Sequence, residues 1–229
     1  MMRDDIHSTG IPVLCTSCEA RHRGLCGVLT PSELVFLARS STKHVVQPGE
    51  ELVSEALPID RYSNVLSGVV KLKKMLSDGR QQIVGLQFAP DFLGRLFMIE
   101  SNVTAEAATE VSLCSFSRSA LEQLTTRQPD LERRLLQQTA RELDQARAWM
   151  LTLGRRTAAE KVASFILMIS ENIDPGAGPA KSFDLPLSRS DIADFLGLTI
   201  ETVSRQLTKL RTDGVLTIEN NRHVTIEKP

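Results

Sequence analysis

The sequence predicts an α+β chain: a body of short strands, then a long helix, then a helix-turn-helix with a β-hairpin wing. Three observations carry this reading. Short apolar runs at 43–46, 51–54, 62–66, 69–76, 81–88 and 110–116 recur between Gly, Pro and Asp turns. Residues 126–172 contain a single glycine, Gly154, and have helical spacing. Residues 188–214 read as two short amphipathic helices around Gly197.

The elements follow in order. Thr30-Pro31-Ser32-Glu33 opens a short helix: Thr30 caps, Pro31 suits the first turn and Glu33 closes a capping box. The strand runs that follow are separated by Pro48-Gly49, Gly68, Asp78-Gly79 and Ala89-Pro90-Asp91. Their number and spacing suit a barrel, roll or sandwich. The stretch 71–83, broken at Asp78-Gly79, reads as a hairpin. A short helix spans 118–125 and a long one 129–153. In the long helix Leu136, Leu143 and Met150 are spaced by heptads, with Thr139, Ala146 and Leu153 as the alternate row. That describes a coiled-coil seam of a little over two heptads, or else an amphipathic helix against its own core. Arg133, Arg134, Arg141, Asp144 and Arg147 fall on the opposite face, which suits solvent. A further helix at 157–171 buries Val162, Phe165, Ile166 and Ile169. The stretch 174–180, Asp-Pro-Gly-Ala-Gly-Pro-Ala, is a loop.

The C-terminal pattern points to nucleic acid. Helices are expected at 189–196 and from Ile200 to Thr212, with Ser188 or Ser190 capping the first and Thr199 the second. Ile192, Ala193, Leu196, Val203, Leu207 and Leu210 face inward. Outward lie Glu201, Thr202, Ser204, Arg205, Thr208 and Lys209. Arg205 suits guanine O6 and N7, Glu201 a cytosine N4, and Ser204 either kind of edge. Lys209 and Arg211 suit phosphate. Val215–Ile218 and His223–Ile226 form a hairpin, the wing.

Composition sets limits. With 27 Lys and Arg against 28 Asp and Glu, the net charge is -1, which neither favours nor forbids a local basic face. No run of residues is long and apolar enough to cross a membrane, and Met1–Gly10 lacks the apolar stretch of a secretory signal, so a cytoplasmic protein is expected. The motifs of hydrolases, Walker nucleotide sites and zinc proteases are missing, and His7, His22, His44 and His223 are dispersed. A non-enzymatic role is expected. Four cysteines are too few for a disulfide scaffold. Cys15, Cys18 and Cys26 cluster in one loop and Cys114 stands alone in a strand, a pattern suited to metal or redox chemistry.

The order of these parts resembles the CRP–FNR transcription regulators over nearly the whole chain. That resemblance implies a β-roll of the cyclic-nucleotide-binding, jelly-roll type, a dimerisation helix and a winged helix-turn-helix. The corresponding division is a cysteine-rich segment at 1–26, a sensor roll at 27–125, the dimer helix at 126–154 and the DNA-binding domain at 155–229. Glu201-Thr202-Val203-Ser204-Arg205 is similar to the Glu-x-x-Ser-Arg signature of the FNR branch. The branch implies a homodimer on double-stranded DNA at a TTGAT-type palindrome. It also implies a dimer seam through Leu136, Leu143, Ala146 and Met150, and RNA polymerase as a partner of the 71–83 hairpin.

The cysteine spacing C-x2-C-x7-C, with Cys114 as the fourth, is similar to that of FNR and implies an oxygen-labile [4Fe-4S] cluster. Thiolates are the soft ligands such clusters need. Zinc is the rival metal, but its usual sites carry a second close pair and Cys114 has none. Unmetallated or thiol-regulated cysteines are the third possibility. Arg21, His22 and Arg23 would keep positive charge near the thiolates. Two departures matter. Gly94-Arg95-Leu96 and Val103-Thr104-Ala105-Glu106 lack the ribose-binding acid and phosphate-binding arginine of the cyclic-nucleotide branch, so no cyclic nucleotide is expected. Ala146 stands where FNR-type seams often hold an acid, which implies a dimer less dependent on the cluster.

Overall fold

The computed structural model describes residues 10–174 and 178–228. The expectations for Met1–Thr9, His7 among them, and for the centre of the 174–180 loop lie outside the described residues. Two compact units emerge: one holds residues up to Leu72 together with Gln87–Glu142, the other Lys73–Leu86 together with the chain from Leu143 onward.

The first unit begins with α1 (Val13–Thr16), α2 (Glu19–His22) and a 3-10 turn at Leu25–Val28. The cysteine segment is therefore three short helical turns rather than the expected loop. Next comes α3 (Pro31–Ala38), whose capping box forms as its sequence requires: Thr30 Oγ1 accepts from the Glu33 N–H at 3.4 Å, and Glu33 accepts from the Thr30 N–H at 2.8 Å.

The strands are β1 (Thr42–Val46), β2 (Glu51–Val53), β3 (Arg61–Ser67), β4 (Val69–Met75), β5 (Gln81–Phe88), β6 (Phe92–Leu93), β7 (Thr104–Ala107) and β8 (Val111–Ser117). They form two four-stranded sheets, ordered β1-β8-β3-β6 and β2-β7-β4-β5. β6 and β7 were not anticipated. β6 is two residues long, and Thr-Ala-Glu-Ala in β7 is poor in the branched and aromatic residues that mark strands.

The middle strands of the β1-β8-β3-β6 sheet, β3 and β8, are largely buried on both faces. Alternation along a strand sends successive side chains to opposite sides. Val65, Val111 and Leu113 join Val46, Val70, Leu93, Ala105 and Ala107 in the core of the roll. Tyr62, Phe92 and Phe116 point the other way, into a second core with Leu25, Cys26, Leu34, Leu37, Leu121, Leu131 and Leu135. Cys114 packs against that second core, so the cysteine segment covers the outer face of the roll.

After β8 come α4 (Arg118–Thr125) and α5 (Pro129–Arg155), a helix of 27 residues. Leu131 and Leu135 anchor the start of α5. The heptad row does not turn into this core: Leu136 is 69% exposed, Leu143 49% and Met150 71%, and Ala146 is exposed as well.

In the second unit, α6 (Ala158–Asn172) buries Val162, Phe165, Ile166 and Ile169 as its spacing demands. Then follow β9 (Ser182–Asp184), α7 (Arg189–Leu196), α8 (Ile200–Thr212), β10 (Leu216–Glu219) and β11 (His223–Ile226). The wing is a three-stranded sheet, β10-β11-β9, not a bare hairpin. Asn220 and Asn221 turn it with φ of 50° and 57°, the left-handed pair a tight hairpin turn needs. His223 bonds Asp184 Oδ1 at 2.7 Å and Ser182 Oγ at 2.8 Å across this sheet. No helix among the described residues is long and apolar enough to cross a membrane.

Candidate functional site

The DNA-facing candidate is built from local rules. Ser188 caps α7 through its bond from the Asp191 N–H at 3.1 Å, and Asp191 accepts in return from the Ser188 N–H at 3.2 Å. Gly197 then takes φ 61° and ψ 44°, a left-handed stop that an L side chain would strain. Thr199 Oγ1 accepts from the Thr202 N–H at 3.2 Å and starts α8. Val203 and Leu207 are buried, which forces the other face outward. Glu201, Ser204, Arg205, Thr208, Lys209 and Arg211 are exposed, and Thr202 is half-buried with its hydroxyl 3.1 Å from that of Thr199. Thr202 thus belongs partly to the cap.

The Glu201 carboxyl is held below the usual range by its own backbone N–H and by the Thr199 hydroxyl. It is an ionised acceptor at neutral pH, as contact with a base amino group requires. α7 is braced from behind. Phe195 stacks on Trp149 of α5 with ring centroids 4.5 Å apart and meets Phe165 edge-on at 5.9 Å. Gln81 donates to Asp194 at 2.6 Å and Gln82 to the Phe195 carbonyl at 3.3 Å. The hairpin thus grips α7 through its second strand, while Met75 and Leu76 near its tip stay exposed.

The cysteine centre is assembled from distant parts of the sequence. Cys15 lies in α1, Cys18 caps α2, Cys26 lies in the 3-10 turn and Cys114 in β8. Gly24 lets the segment lie close to the roll: a Cβ there would sit 3.0 Å from the Pro90 carbonyl oxygen and 2.9 Å from that of Ala20. Burial pushes the Cys26 thiol well up, and the neighbouring Cys18, Cys114 and Cys15 add to it. Burial, then Cys18 and Cys15, raise Cys114 to about 11, against the pull of Lys43 and Ser41. Burial and Cys18 raise Cys15, opposed by Lys43 and Arg21.

Cys18 is thus a common neighbour of Cys15, Cys26 and Cys114. All four are free. No group of three or more His, Cys, Asp or Glu among the described residues is arranged to hold a metal ion. The residue chemistry is nonetheless of the kind a cluster takes: Cys26 within electrostatic reach of the other three thiols, apolar cover, two nearby cations and a buried amide, Asn64, donating to Cys26 Sγ at 3.5 Å.

Comparisons with known proteins agree with this architecture. Residues 43–128 match the cyclic nucleotide-binding domain and residues 160–229 the Crp-like helix-turn-helix domain. A probable transcriptional activator of Rhizobium leguminosarum bv. viciae is 52% identical over 98% of this chain and 93% of its own. The chain belongs to the CRP–FNR family of transcription regulators. The transcriptional activator protein FnrL of Cereibacter sphaeroides is 38% identical over 93% of this chain and 87% of its own. Among solved structures, FixK2 from Bradyrhizobium japonicum aligns with a TM-score of 0.75 and 37% identity, covering 82% of this chain and 92% of that one.

As in this family generally, the chain presents a roll, a long helix and a DNA-binding helix-turn-helix. The structure puts Cys26 within electrostatic reach of Cys15, Cys18 and Cys114, and lays Glu201, Ser204, Arg205 and Lys209 along one exposed face. Two residues escaped the sequence reading. Asn64 is one. Arg134 is the other: expected in solvent, it donates to the Arg23 carbonyl and ties α5 to the cysteine segment. A polar residue in a strand and an arginine on a helix carry no local sign of such partners.

Proposed function

We propose that this regulator is an oxygen-responsive transcription activator in which Cys15, Cys18, Cys26 and Cys114 hold a [4Fe-4S] cluster. The convergence of three N-terminal thiols with Cys114 carries this reading. When bound, such a cluster supplies oxygen-labile iron–sulfur bonds. The chain's own residues supply the rest. Thiolates from α1, α2 and the 3-10 turn, joined to Cys114, pin the N-terminal segment to β8. Leu25 and Cys26 then share a core with Leu131 and Leu135 of α5, and Arg134 bonds the Arg23 carbonyl. The orientation of α5 thereby depends on how firmly the segment is held. Its exposed row, Leu136, Leu143, Ala146 and Met150, pairs with the same row of a second copy. A dimer places two α8 helices in successive major grooves of a TTGAT-type palindrome, one turn apart. Arg205 reads guanine, Glu201 the opposite cytosine or adjacent bases, and Ser204 a thymine. The exposed hairpin tip meets RNA polymerase in the cytoplasm.

No cyclic nucleotide enters this scheme. Where that branch has its phosphate-binding residues, Glu106 lies 2.8 Å from Lys71 in a largely buried ion pair, and Arg95 offers its carbonyl to Tyr62. A second reading is a cluster-free or thiol-regulated regulator of the same fold. It draws on Cys26 being packed as an ordinary core side chain. Anaerobic purification separates the two. Brown protein with iron and sulfide, bleached by air and losing DNA affinity with its colour, supports the first. Colourless protein that binds the palindrome equally in air and under nitrogen rejects it, and stoichiometric zinc would do the same.

A further inference from the structure

One buried polar side chain at the cysteine centre has no part in the scheme above. Asn64 lies in β3 and is 1% exposed. It stands opposite Cys114 on β8 and Phe92 on β6, on the sheet face that the cysteine segment covers. Its Nδ2 donates to Cys26 Sγ at 3.5 Å. Its Oδ1 is buried with no hydrogen-bond partner among the described residues. A half-satisfied buried amide is unfavourable, and an apolar side chain of the same shape would fill this place without that penalty. Packing alone therefore does not account for it. Its orientation is informative as well. A thiolate is an acceptor, so only the amide N–H, never the carbonyl oxygen, is attracted to it.

Resting on the cluster reading above, we propose that Asn64 is a positioning residue of the cysteine centre. Its N–H fixes the Cys26 sulfur and draws charge from it, so that the bound cluster is held more firmly and oxidised more slowly. Three steps lead there. A hydrogen bond to an ionised sulfur is charge-assisted. Hydrogen bonds to ligand sulfurs are among the factors that set a cluster's potential. Partners behind the ligands also fix ligand orientation and are felt in metal retention. Asn64 acts across two elements, because β3 pairs with β8 in register while its side chain reaches the N-terminal segment.

The test uses full-length protein prepared without air. Asn64→Leu keeps the volume and removes the donor; Asn64→Ser retains a shorter one. Three quantities are measured: iron and sulfide content, reduction potential, and the rate at which air bleaches the visible absorbance. The expected result for Asn64→Leu is a more negative potential and bleaching about tenfold faster, with Asn64→Ser in between. The unfolding midpoint of the cluster-free protein should not fall, which separates tuning from a structural role. Cluster-loaded Asn64→Leu with the parent's potential and bleaching rate overturns the proposal. If Asn64→Leu does not fold, an unshifted Asn64→Ser overturns it. Parent protein that holds no iron under nitrogen overturns the cluster reading itself, and this proposal with it.

Discussion

The reading helix and the cysteine centre are built in opposite ways. α8 takes every instruction from its own neighbourhood: Thr199 starts it, Gly197 sets its approach, Val203 and Leu207 choose its buried face. The cysteine centre has no such local logic. Cys15, Cys18 and Cys26 are held by short turns, and Cys114 nears them only because β8 turns that side chain toward the core they share. A locally specified site tolerates change elsewhere and fails one contact at a time. A site assembled across the fold should fail as a whole. That contrast can be tested from its largest consequence to its smallest.

The largest expected effect is at Cys114. Cys114→Ser should abolish iron retention under nitrogen while leaving the cluster-free protein folded, since Cys114 is only partly buried. Iron analysis and circular dichroism check this. Retention of a full iron complement would break the comparison at once. Proton linkage comes next. Burial raises the Cys26 and Cys114 thiols, Cys114 to about 11, so both keep their protons at neutral pH. Ligation removes those protons, so iron retention should strengthen as pH rises, by ~10-fold per pH unit for each proton released. The cluster-free fold should respond with the opposite sign. A thiol raised from 9.0 to about 11 stabilises the folded state fully below pH 9 and loses that contribution as pH climbs toward 11. Chelator competition and denaturant melts between pH 6 and pH 10 read the two trends separately.

The same contrast explains what was legible in the sequence. Thr30 with Glu33, Ser188 with Asp191, and Gly197 announce their helices because caps and turns are local chemistry. The exposed face of α8 and the spacing of the four cysteines are legible for the same reason: residue types and spacing are visible in one dimension. β7 and β9 were missed because Thr-Ala-Glu-Ala and Ser-Phe-Asp stand as strands only through their neighbours. Asn64 and Arg134 were missed as partners of the cysteine segment for a deeper reason. Their roles exist only once β3 lies beside β8 and α5 beside Arg23. Nothing within ten residues of either encodes that meeting.

Smaller effects sharpen the comparison further. Arg205→Ala should cost ~1–3 kcal/mol of binding, confined to one base pair per half-site, with iron content unchanged. Competition binding against a set of single-base variants reads this. Equal losses on every sequence would demote Arg205 to a phosphate contact. Arg134→Ala removes the bond to the Arg23 carbonyl and should weaken the dimer by about 1 kcal/mol without altering base preference. Sedimentation under nitrogen measures it, and an unchanged dimer constant would mean that the shared core, rather than this bond, links the segment to α5.

The smallest expected effect belongs to Lys209. It lies four residues beyond Arg205 on the same exposed face, toward the C-terminal end of α8, the position expected of a phosphate contact when the N-terminal residues read bases. Lys209→Ala should therefore lower affinity for specific and random DNA by the same factor. It should also reduce the slope of log affinity against log salt by about 1 for each protomer. Arg205→Ala, by contrast, should change sequence discrimination at one position. If Lys209→Ala instead changes the preferred base at any position, α8 lies deeper in the groove than its cap and buried face imply. The division between reading and anchoring residues along this helix would then have to shift by a full turn.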